Sequence, residues 1–295
     1  MHQPAKPDVS RISGTTQVIA LLGTPVSHSR SPVMQNTVFR AMGLNFVYVP
    51  FDIPLDRAAE AVSALRTLGI RGANVTMPLK RAVMAHLDRV SEAADLSGAV
   101  NVIVNDDGVL TGHITDGEGF MLSLAEAGVP HEGRRITLIG AGGAATAVAV
   151  QAAMTGAGAI TFFNRDDPFR AEAVARAEAL QQRFGCPVAV RDLSDTDALA
   201  QETAASDILI NGTPVGMDDT VDRMPLPADI PLPSALTVCD LIYAPRETAL
   251  LRHAARAGCR TVSGLGMQLY QAAPAFRLWT GQAMDMVVAR RALFG

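Results

Sequence analysis

The stretch Gly140-Ala141-Gly142-Gly143-Ala144-Ala145 follows the strand-like run Arg135–Ile139 and opens an alanine-rich segment that ends near Thr155. Small residues at this spacing let a backbone meet an anion. Gly140 permits a tight turn, Gly142 lets a pyrophosphate approach the main chain, and Ala145 lets the helix that follows lie close to the strand. The first-turn amides and the positive end of the helix then hold phosphate. Glycine turns also join strands to helices for steric reasons alone. Here the strand, turn and helix come in the order that phosphate binding needs. Gly140, Ala141, Gly142, Gly143 and Ala144 are therefore candidate contacts for a dinucleotide.

The next strand-like run, 159–163, ends in Asn164-Arg165-Asp166-Asp167, where a ribose-reading group is expected. A carboxylate there accepts from the ribose 2′-OH and repels a 2′-phosphate; an arginine does the reverse. The chain has both kinds, Arg165 and Arg170 beside Asp166 and Asp167. The carboxylates favour NAD, and the arginines leave NADP open. Asp167 before Pro168 also reads as the cap of a helix starting near Phe169, and one residue can serve both purposes.

Three polar clusters lie in the first half. In His28-Ser29-Arg30-Ser31-Pro32, Ser29 and Ser31 precede a helix start, where hydroxyls can bind a carboxylate; Ser31 reads equally well as a plain N-cap with Pro32 at the first helical position. Asn74-Val75-Thr76-Met77-Pro78-Leu79-Lys80 follows a strand and ends in a lysine, a residue most often found as a solvated charge. Asp116 stands before Gly117, a common turn pairing. As a pair, Lys80 and Asp116 suit the proton transfer that accompanies oxidation of an alcohol to a ketone. Spacing alone does not show that they meet.

The elements that would carry these residues alternate. Strand-like runs at 18–22, 46–51, 70–75 and 100–104 are interleaved with helical patterns at 32–42 and from Asp56 to a stop at Gly69. Asn105-Asp106-Asp107-Gly108 is a hairpin signal. After Gly117-Glu118-Gly119 the alternation restarts: strands at 135–139, 159–163, 207–210 and 237–241, helices at 169–184 and 247–257, then helical stretches at 267–279 and 284–293. This order predicts an α/β protein with parallel sheets covered by helices. One boundary falls near Asp116 and another near Gly264, and the last helices return to the first domain.

Composition narrows the function classes. The 295 residues are 48% apolar and 18% charged with a net charge of −4, which describes a globular chain long enough for two cores. No basic stripe suits nucleic acid. No apolar span approaches the about 18 residues of a membrane helix, and no leader pattern opens the chain, which points to the cytoplasm. The three cysteines, Cys186, Cys239 and Cys259, lack metal-ligand spacing, so no metal is expected.

Taken together the clusters resemble the shikimate and quinate dehydrogenase family from about Val18 to the C-terminus. The matching stretches are those at 28–32, 74–80, Gly98-Ala99-Val100-Asn101, Thr115-Asp116-Gly117, 140–144, Asn211-Gly212-Thr213-Pro214-Val215-Gly216-Met217, and Gly264-Leu265-Gly266-Met267 with Gln271. The resemblance implies that Lys80 and Asp116 are the catalytic pair, that Ser29 and Ser31 bind the substrate carboxylate, and that Thr76, Asn101 and Gln271 bind ring hydroxyls. Tyr243 lines the substrate cleft, and Thr213, Gly264 and Met267 surround the nicotinamide. Asn164, Arg165 and Asp167 join the glycine turn as cofactor contacts. Other stretches, including Met34-Gln35-Asn36 and Leu278-Trp279-Thr280-Gly281, resemble the quinate/shikimate branch, where Asp167 matches a ribose-binding acid.

The resemblance implies an N-terminal α/β substrate domain over 16–115 plus 266–295, a C-terminal Rossmann-type dinucleotide-binding domain over 116–265, and a flexible tail over 1–15. The expected reaction is NAD-dependent oxidation of shikimate or quinate, with NADP use possible in principle and a cyclohexane or cyclohexene carboxylate as the small-molecule partner. A monomer or homodimer is expected, without nucleic acid or membrane. Two alternatives are a dehydrogenase for another such acid, for example an aminoshikimate, and a non-catalytic nucleotide-binding regulator. Three departures stand out. Ile114 replaces an asparagine two residues before Asp116, Val102 a threonine, and Gly212 an alanine.

Overall fold

The computed structural model describes residues 12–295. Of the tail expected over 1–15, residues 1–11 lie outside that range. Residues 13–16 form a turn closed by Thr16 N–H on Ser13 O (3.1 Å), and the Thr16 hydroxyl donates to Asn45 Oδ1 (2.8 Å), so this part is anchored. The chain divides into two compact units, one ending at Thr115 and resuming over Ala272–Gly295, the other Asp116–Gln271.

The first unit contains β1 (Gln17–Gly23), α1 (Ser31–Ala41), β2 (Phe46–Asp52), α2 (Ala58–Thr67), β3 (Gly72–Val75), β4 (Arg89–Val90), α3 (Glu92–Ser97), β5 (Val102–Asp106) and β6 (Val109–His113). Its sheet runs β2-β1-β3-β5-β6-β4. Ile19 to Leu22 of β1 are all buried, as a strand covered on both faces must be. β2, β1 and β3 are parallel, but β5 is antiparallel to both of its neighbours. This sheet is therefore mixed, and β5 and β6 form the hairpin that Asn105-Asp106-Asp107-Gly108 signals. Its two turn residues, Asp107 and Gly108, both have positive φ (52° and 92°), the turn form that matches strand twist.

The second unit contains α4 (Asp116–Glu126), β7 (Arg135–Ile139), α5 (Gly143–Met154), β8 (Ala159–Asn164), α6 (Pro168–Phe184), β9 (Val188–Asp192), α7 (Thr196–Ala205), β10 (Ile208–Asn211), β11 (Thr237–Asp240), α8 (Ala249–Arg256), β12 (Arg260–Val262) and α9 (Gly264–Tyr270). Its sheet is parallel throughout, in the order β9-β8-β7-β10-β11-β12. Chain order reverses between β7 and β10, and in such doubly wound sheets a ligand crevice opens beyond the strand ends at that point. Residues 145–150 of α5 are all buried, so alanine dominates there because the helix is covered on nearly every side.

The chain then returns to the first unit as α10 (Ala272–Thr280) and α11 (Met286–Phe294). The single helix expected over 267–279 is broken at Gln271, and Pro274, which lacks an N–H, stands in the first turn of α10. The return falls at Ala272 and not at 266. Residues 266–271 lie with α4, held there by small residues. A Cβ on Gly119 would collide with Gln271 N, and one on Gly266 would collide with the Ser123 hydroxyl. Trp279 anchors α10: its Nε1 donates to Ile103 O (3.0 Å), and Arg71 donates to Trp279 O (3.2 Å) and Asn105 O (2.7 Å).

Candidate functional site

In the first unit three loops meet at one end of the central strands. Thr76 N–H donates to Leu22 O (2.9 Å) and Thr24 N–H to Met77 O (3.0 Å), so the loops after β1 and β3 run side by side. Gly23 makes this approach possible, since a Cβ there would collide with Thr76 Cγ2 and come within 2.8 Å of Met77 O. Val75 N–H donates to Asn101 O (2.8 Å) and Val100 N–H to Lys80 O (2.8 Å), which ties in the segment before β5. Thr76, Lys80 and Asn101 thereby share this end of the strands with the loop that leads to Ser29 and Ser31.

Ser31 is not the N-cap that its sequence position suggested. The capping position is Arg30, whose side chain makes no cap bond, and Ser31 is the first helical residue. Ser29 Oγ instead accepts from Ser31 N–H (3.3 Å). The Ser31 hydroxyl is thus released from capping. Tyr48 donates to Asn74 Oδ1 (2.8 Å), Asn74 Nδ2 donates to Asn101 O (3.1 Å), and Asn101 Nδ2 donates to the Thr115 hydroxyl (3.0 Å). Thr115 N–H returns a bond to Asn101 Oδ1 (2.8 Å). A continuous polar chain therefore links Tyr48 of β2 to the residue that precedes Asp116. Burial pushes the Tyr48 phenol far above its ordinary pKa, which keeps it a neutral donor. The Asn36 amide pairs with the backbone N–H and C=O of Tyr48 (2.9 Å each) and fixes the base of the ring.

In the second unit the glycine turn sits at the switch point between β7 and β10. Gly140 has φ +93°, and a Cβ on it would lie 2.7 Å from Thr213 Cγ2, so the position demands glycine. A Cβ on Gly142 or Gly143 would meet nothing within 4 Å, so the backbone is open where α5 begins. That opening, with the amides of a twelve-residue helix behind it, fits a pyrophosphate. Asn164, expected as a cofactor contact, braces the turn. Its Oδ1 accepts from Ala141 N–H (3.0 Å), and its Nδ2 donates to Arg165 O (2.9 Å) and Asp167 Oδ1 (2.8 Å). Asp167 caps α6 by accepting from Phe169 N–H (3.0 Å), which leaves Oδ2 facing Arg165 Nη2 at 3.8 Å.

Thr213 is held from below. Asn211 Oδ1 accepts from its N–H (3.0 Å) and its hydroxyl (2.7 Å), and Asn211 Nδ2 donates to Asp240 Oδ1 (3.0 Å). Asp240 is fully buried and also accepts from Thr248 Oγ1 (2.7 Å) and Ile242 N–H (3.0 Å). Burial raises its pKa, and these three bonds oppose the rise. Gly264 starts α9 where a Cβ would collide with Leu241 O; Met267 is buried, and Tyr243 is 46% exposed. Gln271 follows α9 and donates to Gln268 O (3.3 Å).

The expected substrate residues are thus divided. Ser29, Ser31, Thr76, Lys80 and Asn101 belong to the first unit; Asp116, Tyr243 and Gln271 belong to the second. Tyr48, Asn74, Asn211 and Asp240 carry no role in the sequence reading. A tyrosine inside a strand needs a partner for its hydroxyl, and a polar residue ending a parallel strand lies where ligands bind; both were available as signals. Ile114 and Val102 are buried, so these departures face the interior. A methyl on Gly212 would lie 2.5 Å from Ala145 Cβ, which accounts for the third. Among the described residues no group of His, Cys, Asp or Glu could hold a metal ion, and no helix is long and apolar enough to cross a membrane.

Residues 21–103 match the shikimate dehydrogenase substrate binding domain, and residues 264–294 match the shikimate 5′-dehydrogenase C-terminal domain. A shikimate dehydrogenase (NADP(+)) of Listeria monocytogenes is 44% identical over 284 residues, 96% of this chain and 98% of that protein. The chain belongs to the shikimate dehydrogenase family. A crystal structure of shikimate 5-dehydrogenase from Listeria monocytogenes with shikimate and NAD is similar with a TM-score of 0.92 at 44% identity, covering 96% of this chain and 98% of that one. Quinate dehydrogenase from Corynebacterium glutamicum with NAD gives a TM-score of 0.83 at 32% identity, covering 94% and 98%. The family and the two-part α/β architecture expected from the motifs are both borne out, and the family is one of oxidoreductases.

Proposed function

We propose that this enzyme reversibly oxidises the C3 hydroxyl of shikimate to give 3-dehydroshikimate, and that quinate is its second substrate, giving 3-dehydroquinate. The observation that carries this reading is the polar chain from Tyr48 through Asn74 and Asn101 to Thr115, the residue before Asp116, in a chain 44% identical to a shikimate dehydrogenase. The hydroxyls of Ser29 and Ser31 donate to the substrate carboxylate. Thr76, Asn101 and Gln271 bind the ring hydroxyls, and Tyr243 lines the cleft. Lys80 and Asp116 take up the proton that leaves the C3 hydroxyl and return it in reduction.

A nicotinamide dinucleotide supplies the hydride acceptor. Gly140 to Ala144 would hold its pyrophosphate, Thr213, Gly264 and Met267 would surround its nicotinamide, and Arg165 and Asp167 would face its adenosine ribose. Asp167 Oδ2 is available to a 2′-OH, which supports NAD. The curated Listeria relative carries NADP(+) in its name, while the Listeria and Corynebacterium structures hold NAD, so NADP use accompanies NAD use in this reading.

Initial rates with shikimate, quinate and an aminoshikimate, each with NAD and NADP, test substrate and cofactor together. Lys80→Ala and Asp116→Asn should each lower kcat at least about 100-fold while nucleotide affinity changes little. Near-wild-type turnover in Lys80→Ala would sink the assignment. Failure to form reduced nucleotide with any substrate would favour a non-catalytic nucleotide-binding regulator.

A further inference from the structure

The two arginines near the ribose-reading loop are not in the same state. The Arg165 side chain is 81% exposed, and its nearest carboxylate oxygen, Asp167 Oδ2, is 3.8 Å away. The Arg170 side chain is 31% exposed, and its Nη1 lies 2.7 Å from Asp192 Oδ2 and 4.0 Å from Asp166 Oδ1. Asp192 closes β9 and pairs in register with Asn164, the residue that ties the glycine turn to Asp167. Its carboxylate is aimed, because Oδ1 accepts from both Ser194 N–H (2.8 Å) and Ser194 Oγ (2.7 Å), which leaves Oδ2 for the guanidinium.

We propose that Asp192 is a specificity-determining residue that favours NAD by engaging Arg170 and withholding it from a 2′-phosphate. This rests on the reading of the second unit as the dinucleotide-binding domain. The chemistry is a competition for one cation. A 2′-phosphate dianion placed near Asp166 and Asp167 needs compensating guanidinium groups. With Arg170 bound to Asp192, Arg165 alone remains to meet it. A 2′-hydroxyl has no such need and bonds a carboxylate directly. Asp192 touches neither cofactor nor substrate in this account; it acts through Arg170.

The test is a cycle of four full-length enzymes: wild type, Asp192→Asn, Arg170→Gln and the double variant. The asparagine keeps an acceptor for Ser194 and presents to Arg170 an amide N–H2 that cannot accept. The readouts are kcat/KM for NADP and for NAD with shikimate, and direct binding of NADPH and NADH followed by nucleotide fluorescence. In Asp192→Asn the NADP-to-NAD ratio should rise about tenfold, a shift of about 1.4 kcal/mol. In the double variant it should fall back to near the wild-type value. A ratio unchanged in Asp192→Asn, or raised equally in the double variant, overturns the proposal. A merely structural role would weaken both cofactors alike and leave the ratio where it was, which also overturns it. Arg170→Gln alone provides a check independent of the folding of Asp192→Asn. Because the arginine is already withheld, that change should move the ratio less than about twofold, whereas a tenfold loss of NADP use would show it to be a phosphate ligand already. If wild type binds neither nucleotide, the dinucleotide reading itself fails. If it binds them and the ratio does not move, this inference alone fails.

Discussion

The phenol of Tyr48 joins two functions that a site needs, a donor that does not ionise and a spacer that fixes distance. Its hydroxyl donates to Asn74 Oδ1 (2.8 Å), and that buried oxygen loses its partner when the hydroxyl is removed. Tyr48→Phe should therefore destabilise the protein by about 1–3 kcal/mol, the usual cost of stranding a buried polar atom. It should also raise KM for shikimate while leaving KM for NAD unchanged, because the network lies within the first unit. Urea unfolding and separate titration of each substrate check the two halves. A stable variant with unaltered KM for shikimate would mean that the Tyr48–Asn74 bond does not position the substrate residues. Asp240 has the corresponding place under Thr213, reaching it through Asn211.

At the scale of elements, α4 shows why some of the fold was legible in the sequence and some was not. Gly117 and Gly119 read as punctuation, since glycine inside a helix costs roughly 1 kcal/mol relative to alanine. In the structure they lie inside α4 and permit close approach. A Cβ on Gly117 would collide with Ala147 O and lie 2.7 Å from Gln151 Cβ. Gly117→Ala sets these effects against each other. The overlap dominates, because overpacking costs about 1–3 kcal/mol, and the variant should melt lower than wild type in spite of its better helix former. A higher melting temperature would refute the packing argument. Elements with strong local signals were readable: the buried run of β1, the Asp107-Gly108 hairpin, and the turn from β7 into α5. The short or half-exposed ones were not. β4 has two residues and α3 six, β9 has no fully buried residue, and α7 buries only Leu199 and Thr203. In the same way Lys80 and the serines could be found by motif. The Tyr48–Asn74 and Asn211–Asp240 bonds could not, because they join residues 26 and 29 positions apart.

For the molecule as a whole, Trp279 is the residue on which the first unit closes. It is buried to 2% exposure, its indole donates to Ile103 O, and Gly72 leaves the space that the ring occupies. Trp279→Ala should cost about 3–5 kcal/mol, as large aromatic truncations in a core do. Far-ultraviolet circular dichroism during denaturation measures it without relying on the fluorescence of the one tryptophan that has been removed. Loss of less than about 1 kcal/mol would show that α10 is held mainly by other contacts, Arg71 among them.

The excursion of the chain out of the first unit at Thr115 and back at Ala272 gives synthesis a direction. A ribosome translating this message releases β1 to β6 first and the helices that finish their unit only after the second unit. Phe39, which stacks on Phe276 of α10 with ring centroids 5.3 Å apart, waits for that partner until the whole second unit has been read. The inserted second unit, continuous from Asp116 to Gln271, has no such wait. A nascent chain stalled just beyond Gln271 would therefore present a fully synthesised nucleotide half and an uncovered apolar face on the half made first, the surface on which a chaperone would act.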